Sequence, residues 1–150
     1  AEVINTHDEA IGFEPIHKVI FNTDAEEFFA DAEKFLGNAD DGDKEITLIT
    51  EKGSRSLKLA GLTIGELIGK CEDFCVSYTK AHGGYIDYIH GDDVTRTLGS
   101  EAGNMGFLLP AMGKEQLFKT VIADGVLPRK TFSMGHARDK RYYIEARKIK

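Results

Sequence analysis

The sequence contains no apolar run approaching the ~18 residues that a membrane-spanning helix requires. Its first residues, Ala1 to Thr6, lack the basic start and apolar stretch of a signal peptide. Cysteine is scarce: Cys71 and Cys75 are the only two, which excludes a disulfide framework. Four residues apart in a helical pattern and without neighbouring Cys or His, they read as small core residues rather than a zinc or redox motif. A reducing, cytoplasmic setting is the matching expectation. No internal repeat or low-complexity stretch is present. The five histidines form no His-x-x-x-His or His-Glu-x-x-His pair, so zinc has no support. Asp40-Asp41-Gly42-Asp43 lacks the order and the distal Glu of a calcium loop and reads as a solvated turn. A Walker loop, an acid pair and an ordered Ser/His/Asp set are missing too.

What is present suits a single globular domain. The chain has 150 residues, 41% of them hydrophobic and 29% charged, enough to bury a core without cross-links and against disorder. Its net charge of −6 conceals a split. Residues 1–125 carry 11 Lys/Arg against 23 Asp/Glu, whereas residues 126–150 carry 8 against 2. A basic end on an acidic body either packs on its own body or faces an anionic partner. The acidity of the whole argues against nucleic acid as a partner.

Periodicity sets out the elements. Val3 to His7 and Val19-Ile20-Phe21 read as strands. Thr23 and Glu26 read as a capping box before a helix that Gly37 ends. Ile46–Ile49 and Leu57–Leu59 flank Lys52-Gly53-Ser54 as a hairpin. Thr63 and Glu66 form a second capping box, followed by one apolar stripe through Ile64, Leu67, Ile68, Cys71, Phe74, Cys75 and Tyr78. Tyr85–Ile89 alternates as a strand, and His90-Gly91-Asp92 turns into a short helix reaching Leu98. Gly106–Leu109 reads as a buried strand. Leu117, Phe118, Val121 and Ile122 fit a helix closed by Gly125. A loop over Leu127–Gly135 precedes a final strand bearing Tyr142, Ile144 and Ala146 on one face. This order predicts an α+β domain: a mostly antiparallel or mixed sheet with about four helices packed on it.

Three segments carry chemistry-capable side chains. Pro15-Ile16-His17-Lys18 leads into a strand, and Tyr88-Ile89-His90-Gly91-Asp92-Asp93 ends one. Leu127-Pro128-Arg129-Lys130-Thr131-Phe132-Ser133-Met134-Gly135 gathers two cations, two hydroxyls and a glycine, the donors that an anion requires. The structural alternative is that Arg129 and Lys130 face solvent while Thr131 and Ser133 satisfy their own loop.

Together and in order, these segments resemble the carboxy-terminal half of a prokaryotic family, domain of unknown function number 1015. Val3-Ile4-Asn5-Thr6-His7-Asp8 and Gly106-Phe107-Leu108-Leu109-Pro110 add to the likeness, which runs from about residue 3 to residue 149. Lys18 stands where many members have Arg, keeping the charge but losing bidentate geometry. The resemblance implies a missing amino-terminal half with an Asp-Gly-His-His-Arg signature, similar to that of free-serine kinases and of the partition-protein/sulfiredoxin superfamily. The chain is therefore expected to be the carboxy-terminal part of a longer protein, and its lack of an initiator Met agrees.

The expected function is part of a site for a small anionic metabolite, phosphorylated by preference, with serine-kinase-like phosphotransfer as the reaction that the resemblance suggests. His17 and His90 are the candidate catalytic residues. Lys18, Arg129, Lys130, Thr131 and Ser133 are the candidate anion ligands, with Lys130, Thr131, Ser133 and His17 expected to cluster at the rim of a concavity. No metal is expected and the sequence specifies no cofactor. The rival expectation is a non-catalytic assembly module using the basic end, with the missing half or a second copy as partner.

Overall fold

The computed structural model describes residues 5–23 and 26–135. Six strands, β1 (Phe13–Phe21), β2 (Lys44–Thr50), β3 (Gly53–Leu59), β4 (Tyr85–His90), β5 (Met105–Leu108) and β6 (Phe132–Met134), form one sheet. Its order is β3-β2-β5-β1-β4, with β6 pairing on β1, and every pairing is antiparallel. Four helices complete the fold: α1 (Phe28–Leu36), α2 (Ile64–His82), α3 (Asp92–Gly99) and α4 (Leu117–Asp124). The architecture is α+β. None of the described helices is long and apolar enough to cross a membrane.

Successive side chains of a strand point to opposite faces, so β1 at the sheet's centre serves two layers. On one face Ile20 joins Leu48, Met105 and Phe107 in the main core, covered by α1 and α2. Helix α2 forms because Thr63 and Glu66 complete the capping box at its start, and its stripe from Ile64 to Tyr78 is buried. Phe28 of α1 stacks edge-on against Phe107 and Tyr78, which locks the helical layer to the sheet. On the other face α3 comes so close to β5 that a Cβ on Gly99 would lie 2.7 Å from the Gly106 backbone.

Several expectations need correction. Helix α1 has no side-chain cap because it starts at Phe28 with Glu27 in the cap position, beyond the Thr23 hydroxyl, which donates to the His82 carbonyl at 3.5 Å. The described part of the first strand-like run, Asn5–His7, belongs to a turn in which the Asn5 side chain accepts from the His7 amide. Val3, Ile4 and the final strand at Tyr142, Ile144 and Ala146 lie outside the described residues. Part of the 127–135 loop is strand β6. Helix α4, closed by Gly125, forms as expected; Leu117 packs against the core and Thr120 is buried, while Phe118 is 62%, Ile122 85% and nearby Val126 97% exposed. Contact with α2 includes small and polar groups, among them the Thr63–Asp124 hydrogen bond.

Candidate functional site

His17 and Lys18 are neighbours in sequence and occupy opposite faces of β1. His17 turns toward α3. Its Nδ1 accepts from the Leu109 amide at 3.1 Å, so Nε2 carries the proton and donates to Asp92 at 2.9 Å. Burial holds the His17 pKa below its usual 6.5, against the upward pull of Asp92; nearby His90 and Arg96 add to the lowering. Both ring nitrogens are engaged, which makes His17 a brace tying β1 to the start of α3 and the chain after β5.

Lys18 turns toward α2 and is 0% exposed. Its ammonium pairs with Glu72, a residue of α2, and lies 4.8 Å from the centre of the Tyr88 ring. Tyr88 donates to the second Glu72 oxygen at 2.7 Å. Burial alone would raise the Glu72 pKa, yet the hydrogen bonds from Lys18 and Tyr88, with Arg129 nearby, hold it below the usual carboxylate range. Burial first, then donation to Glu72, pushes the Tyr88 phenol up to about 12. Cys71 and Cys75 lie beneath in the core, where burial raises the Cys71 thiol to about 12 and Cys75 well above its ordinary value.

The 127–133 segment crosses this same face. Pro128 packs on Gly69 of α2, and the Arg129 guanidinium sits 5.9 Å from the centre of the Tyr88 ring. Lys130 is exposed and takes the left-handed conformation, φ 60°. The Thr131 hydroxyl donates to the Pro128 carbonyl at 2.6 Å, closing the turn. Ser133 pairs with Glu14 across β6 and β1, and Glu14 in turn contacts Nδ1 of His90 at 3.1 Å. Register fixes the alignment: Tyr88 opposes Lys18 and His90 opposes Ile16, so Glu14, His90, Tyr88 and Lys18 share a face. The Nε2 atom of His90 is buried and has no hydrogen-bond partner among the described residues.

No protein-family model and no curated protein matches the chain. A solved structure of a conserved hypothetical protein from Pyrococcus furiosus is similar, with a TM-score of 0.59 and 20% identity over 89% of this chain. At that identity the likeness shows the fold alone. This chain spans 60% of that protein's length.

The predicted site residues therefore divide. Lys18, His90, Arg129 and Ser133 gather on the α2 side of the sheet, with Lys130 at the exposed edge of the loop. His17 belongs to the opposite side, because strand alternation turns it away, and it cannot share a ligand with Arg129. Lys18 is not available to an external anion, since Glu72 takes its charge and α2 buries it. Thr131 closes its own turn. The residues that the sequence reading missed are Glu14 and Glu72, whose partners in β4 and β1 are distant in sequence. One signal for Glu72 was present: a lysine inside the apolar run Ile16–Ile20 must be paired if that run is buried. Among the described residues no group of three His, Cys, Asp or Glu could hold a metal ion. A recess of about 350 Å³ lies elsewhere, between α1 and α2, lined by residues including Phe35, Phe74, Tyr78 and His82.

Proposed function

We propose that this domain supplies one wall of a binding site for a small anionic metabolite, a phosphorylated one by preference, in the intact protein. The observation that carries the reading is the Arg129-Lys130 pair on the α2 side. One tight turn carries both cations, and the Arg129 guanidinium lies 5.9 Å from the centre of the Tyr88 ring with the Glu72 carboxylate nearby. A guanidinium offers phosphate or carboxylate a planar pair of donors, and a second cation beside it adds charge. Serine-kinase-like phosphotransfer is the reaction class suggested by the resemblance to domain of unknown function number 1015. The test is titration of inorganic phosphate and phosphomonoesters into the chain and into Arg129→Ala and Lys130→Ala variants, by calorimetry. Loss of binding in the variants with the fold retained supports the reading, and unchanged binding removes it.

A second reading, an assembly module, is favoured by the exposed apolar face of α4. Phe118, Ile122 and Val126 stand largely uncovered, a cluster of a kind that marks interaction surfaces more often than scattered single residues do. Self-association seen by sedimentation and abolished in Ile122→Glu would support a second copy as partner. A monomer at every concentration would dismiss that version.

A further inference from the structure

The two histidines of the β1–β4 region use the same chemistry in opposite ways, and the difference gives His90 a role. In His17 every ring position is spoken for: one nitrogen accepts from a backbone amide and the other donates to Asp92. Among the described residues the His90 ring has one polar contact, a Glu14 carboxylate oxygen 3.1 Å from Nδ1. An ionised carboxylate can only accept, so in the neutral ring Nδ1 carries the hydrogen and Nε2 keeps its lone pair. That lone pair is shielded from solvent and unpartnered among the described residues, an arrangement that costs free energy unless a donor meets it.

We infer that the Glu14–His90 pair is the acid–base element of the proposed anion site, and that its ligand is an oxyanion still bearing an acidic P–OH, such as dihydrogen phosphate or a phosphomonoester monoanion. The inference rests on the anion-site reading and narrows its ligand class. His90 stands two residues from Tyr88 on one strand face, roughly 7 Å along β4, and Tyr88 is the ring that carries Arg129. A ligand held by Arg129 and Lys130 would have to extend past Tyr88 along β4 and displace what covers Nε2 to bring its hydroxyl there. The proton step balances simply. The Nε2 lone pair takes the hydroxyl proton and the ring becomes imidazolium. The electron pair of the broken O–H bond stays on the ligand oxygen, whose added charge Arg129 and Lys130 offset. Glu14 is a positioning residue: it fixes the tautomer and stabilises the cation that forms. A carboxyl-bearing anion without a proton to give would meet the same cations but leave Nε2 unsatisfied.

The test is long-range nitrogen–proton NMR of the imidazole rings in the whole chain, with inorganic phosphate as the probe. The expected result is a neutral His90 protonated at Nδ1, in contrast to His17 protonated at Nε2. Added phosphate should shift the His90 Nε2 signal together with Arg129 signals. His90→Gln should weaken phosphate binding roughly tenfold, the scale of one lost hydrogen bond to a charged group. Glu14→Gln should reverse or mix the His90 tautomer while the Arg129 shifts persist. Three results overturn the inference. One is a free chain with His90 protonated at Nε2. Another is phosphate that moves Arg129 but neither His90 nor the affinity of His90→Gln, in which case the anion site survives and its acid–base element does not. The last is phosphate that perturbs neither residue, which ends both readings together.

Discussion

The α3 side and the α2 side of the central sheet handle polar groups differently. On the α3 side His17 is closed into a brace whose donors and acceptors are all matched, and Gly99 lets the helix press onto β5. On the α2 side the inner end is matched as thoroughly, through Lys18, Glu72 and Tyr88. Further along the same face matching stops: the His90 Nε2 atom has no partner among the described residues, Arg129 is exposed and Lys130 is held in a conformation unfavourable for a side chain. Complete satisfaction marks groups that hold the fold. Incomplete satisfaction beside a rigid, satisfied block marks where a ligand has something to add. The comparison also moves the chemistry away from the most histidine-like motif in the sequence, Pro15-Ile16-His17-Lys18, whose two polar side chains are both structural.

The sharpest way to break this contrast is to damage the matched block. Glu72→Ala leaves the Lys18 ammonium buried with, among the described residues, only the Tyr88 ring beside it, and the chain should lose about 3–5 kcal/mol in urea unfolding. Phe74→Ala, which opens the core that α2 shares with Phe28 and Phe107, should cost a similar ~3–5 kcal/mol. If Glu72→Ala costs no more than a surface substitution, the Lys18 pair is incidental and the α2 face has no rigid base.

Next in size is His17. His17→Ala orphans the Leu109 amide and should cost about 1–3 kcal/mol at pH 7.5. It should also change the pH dependence. Because burial lowers the folded-state pKa of His17 below 6.5, the unfolded chain takes up this proton first as pH falls. The His17 contribution is thus complete above about pH 6.5 and declines below it. Thermal unfolding of the native chain should weaken between pH 7 and pH 5 by an amount that His17→Asn partly removes. An unaltered slope in the variant would mean that His17 is not the group responsible. His90→Ala, by contrast, should cost less than about 1 kcal/mol, since it also removes an unsatisfied polar atom. A loss as large as that of His17 would erase the distinction between the two faces.

The particular residues that were legible in the sequence explain what was not. The α2 stripe could be read because seven apolar positions at helical spacing leave one solution, and Thr63 with Glu66 fixed where it starts. The same spacing located α4 and its end at Gly125, but periodicity shows that a helix has an apolar side without saying that this side is covered, and Phe118 and Ile122 are exposed. Thr23 and Glu26 matched the capping pattern, but the helix begins only at Phe28, and the Thr23 hydroxyl instead donates to the His82 carbonyl, 59 residues away. The candidate site divided for an equally simple reason. His17-Lys18 is adjacent in sequence and therefore opposed in space once the segment is a strand, a consequence available from the strand assignment alone. Glu14 and Glu72 were beyond reach because their importance lies in register and helix placement, not in any motif.

The smallest expected effect tests the loop itself. Lys130 has φ 60°, where a side chain crowds its own backbone and glycine does not. Its neighbours impose this conformation: Pro128 packs on Gly69, Thr131 closes the turn, and Phe132 is already paired in β6. Lys130→Gly should relieve the crowding, while the greater freedom of glycine in the unfolded chain offsets part of the gain. The net change should be a stabilisation of at most about 1 kcal/mol. If the lysine is kept there for its charge, the same variant should bind phosphate more weakly than the native chain while unfolding at an equal or higher temperature. Ala at this position separates the two terms, because it removes the charge and keeps the crowding. Binding that survives in both Gly and Ala variants would remove Lys130 from the anion site, and the unsatisfied end of the α2 face would then have Arg129 as its only cation among the described residues.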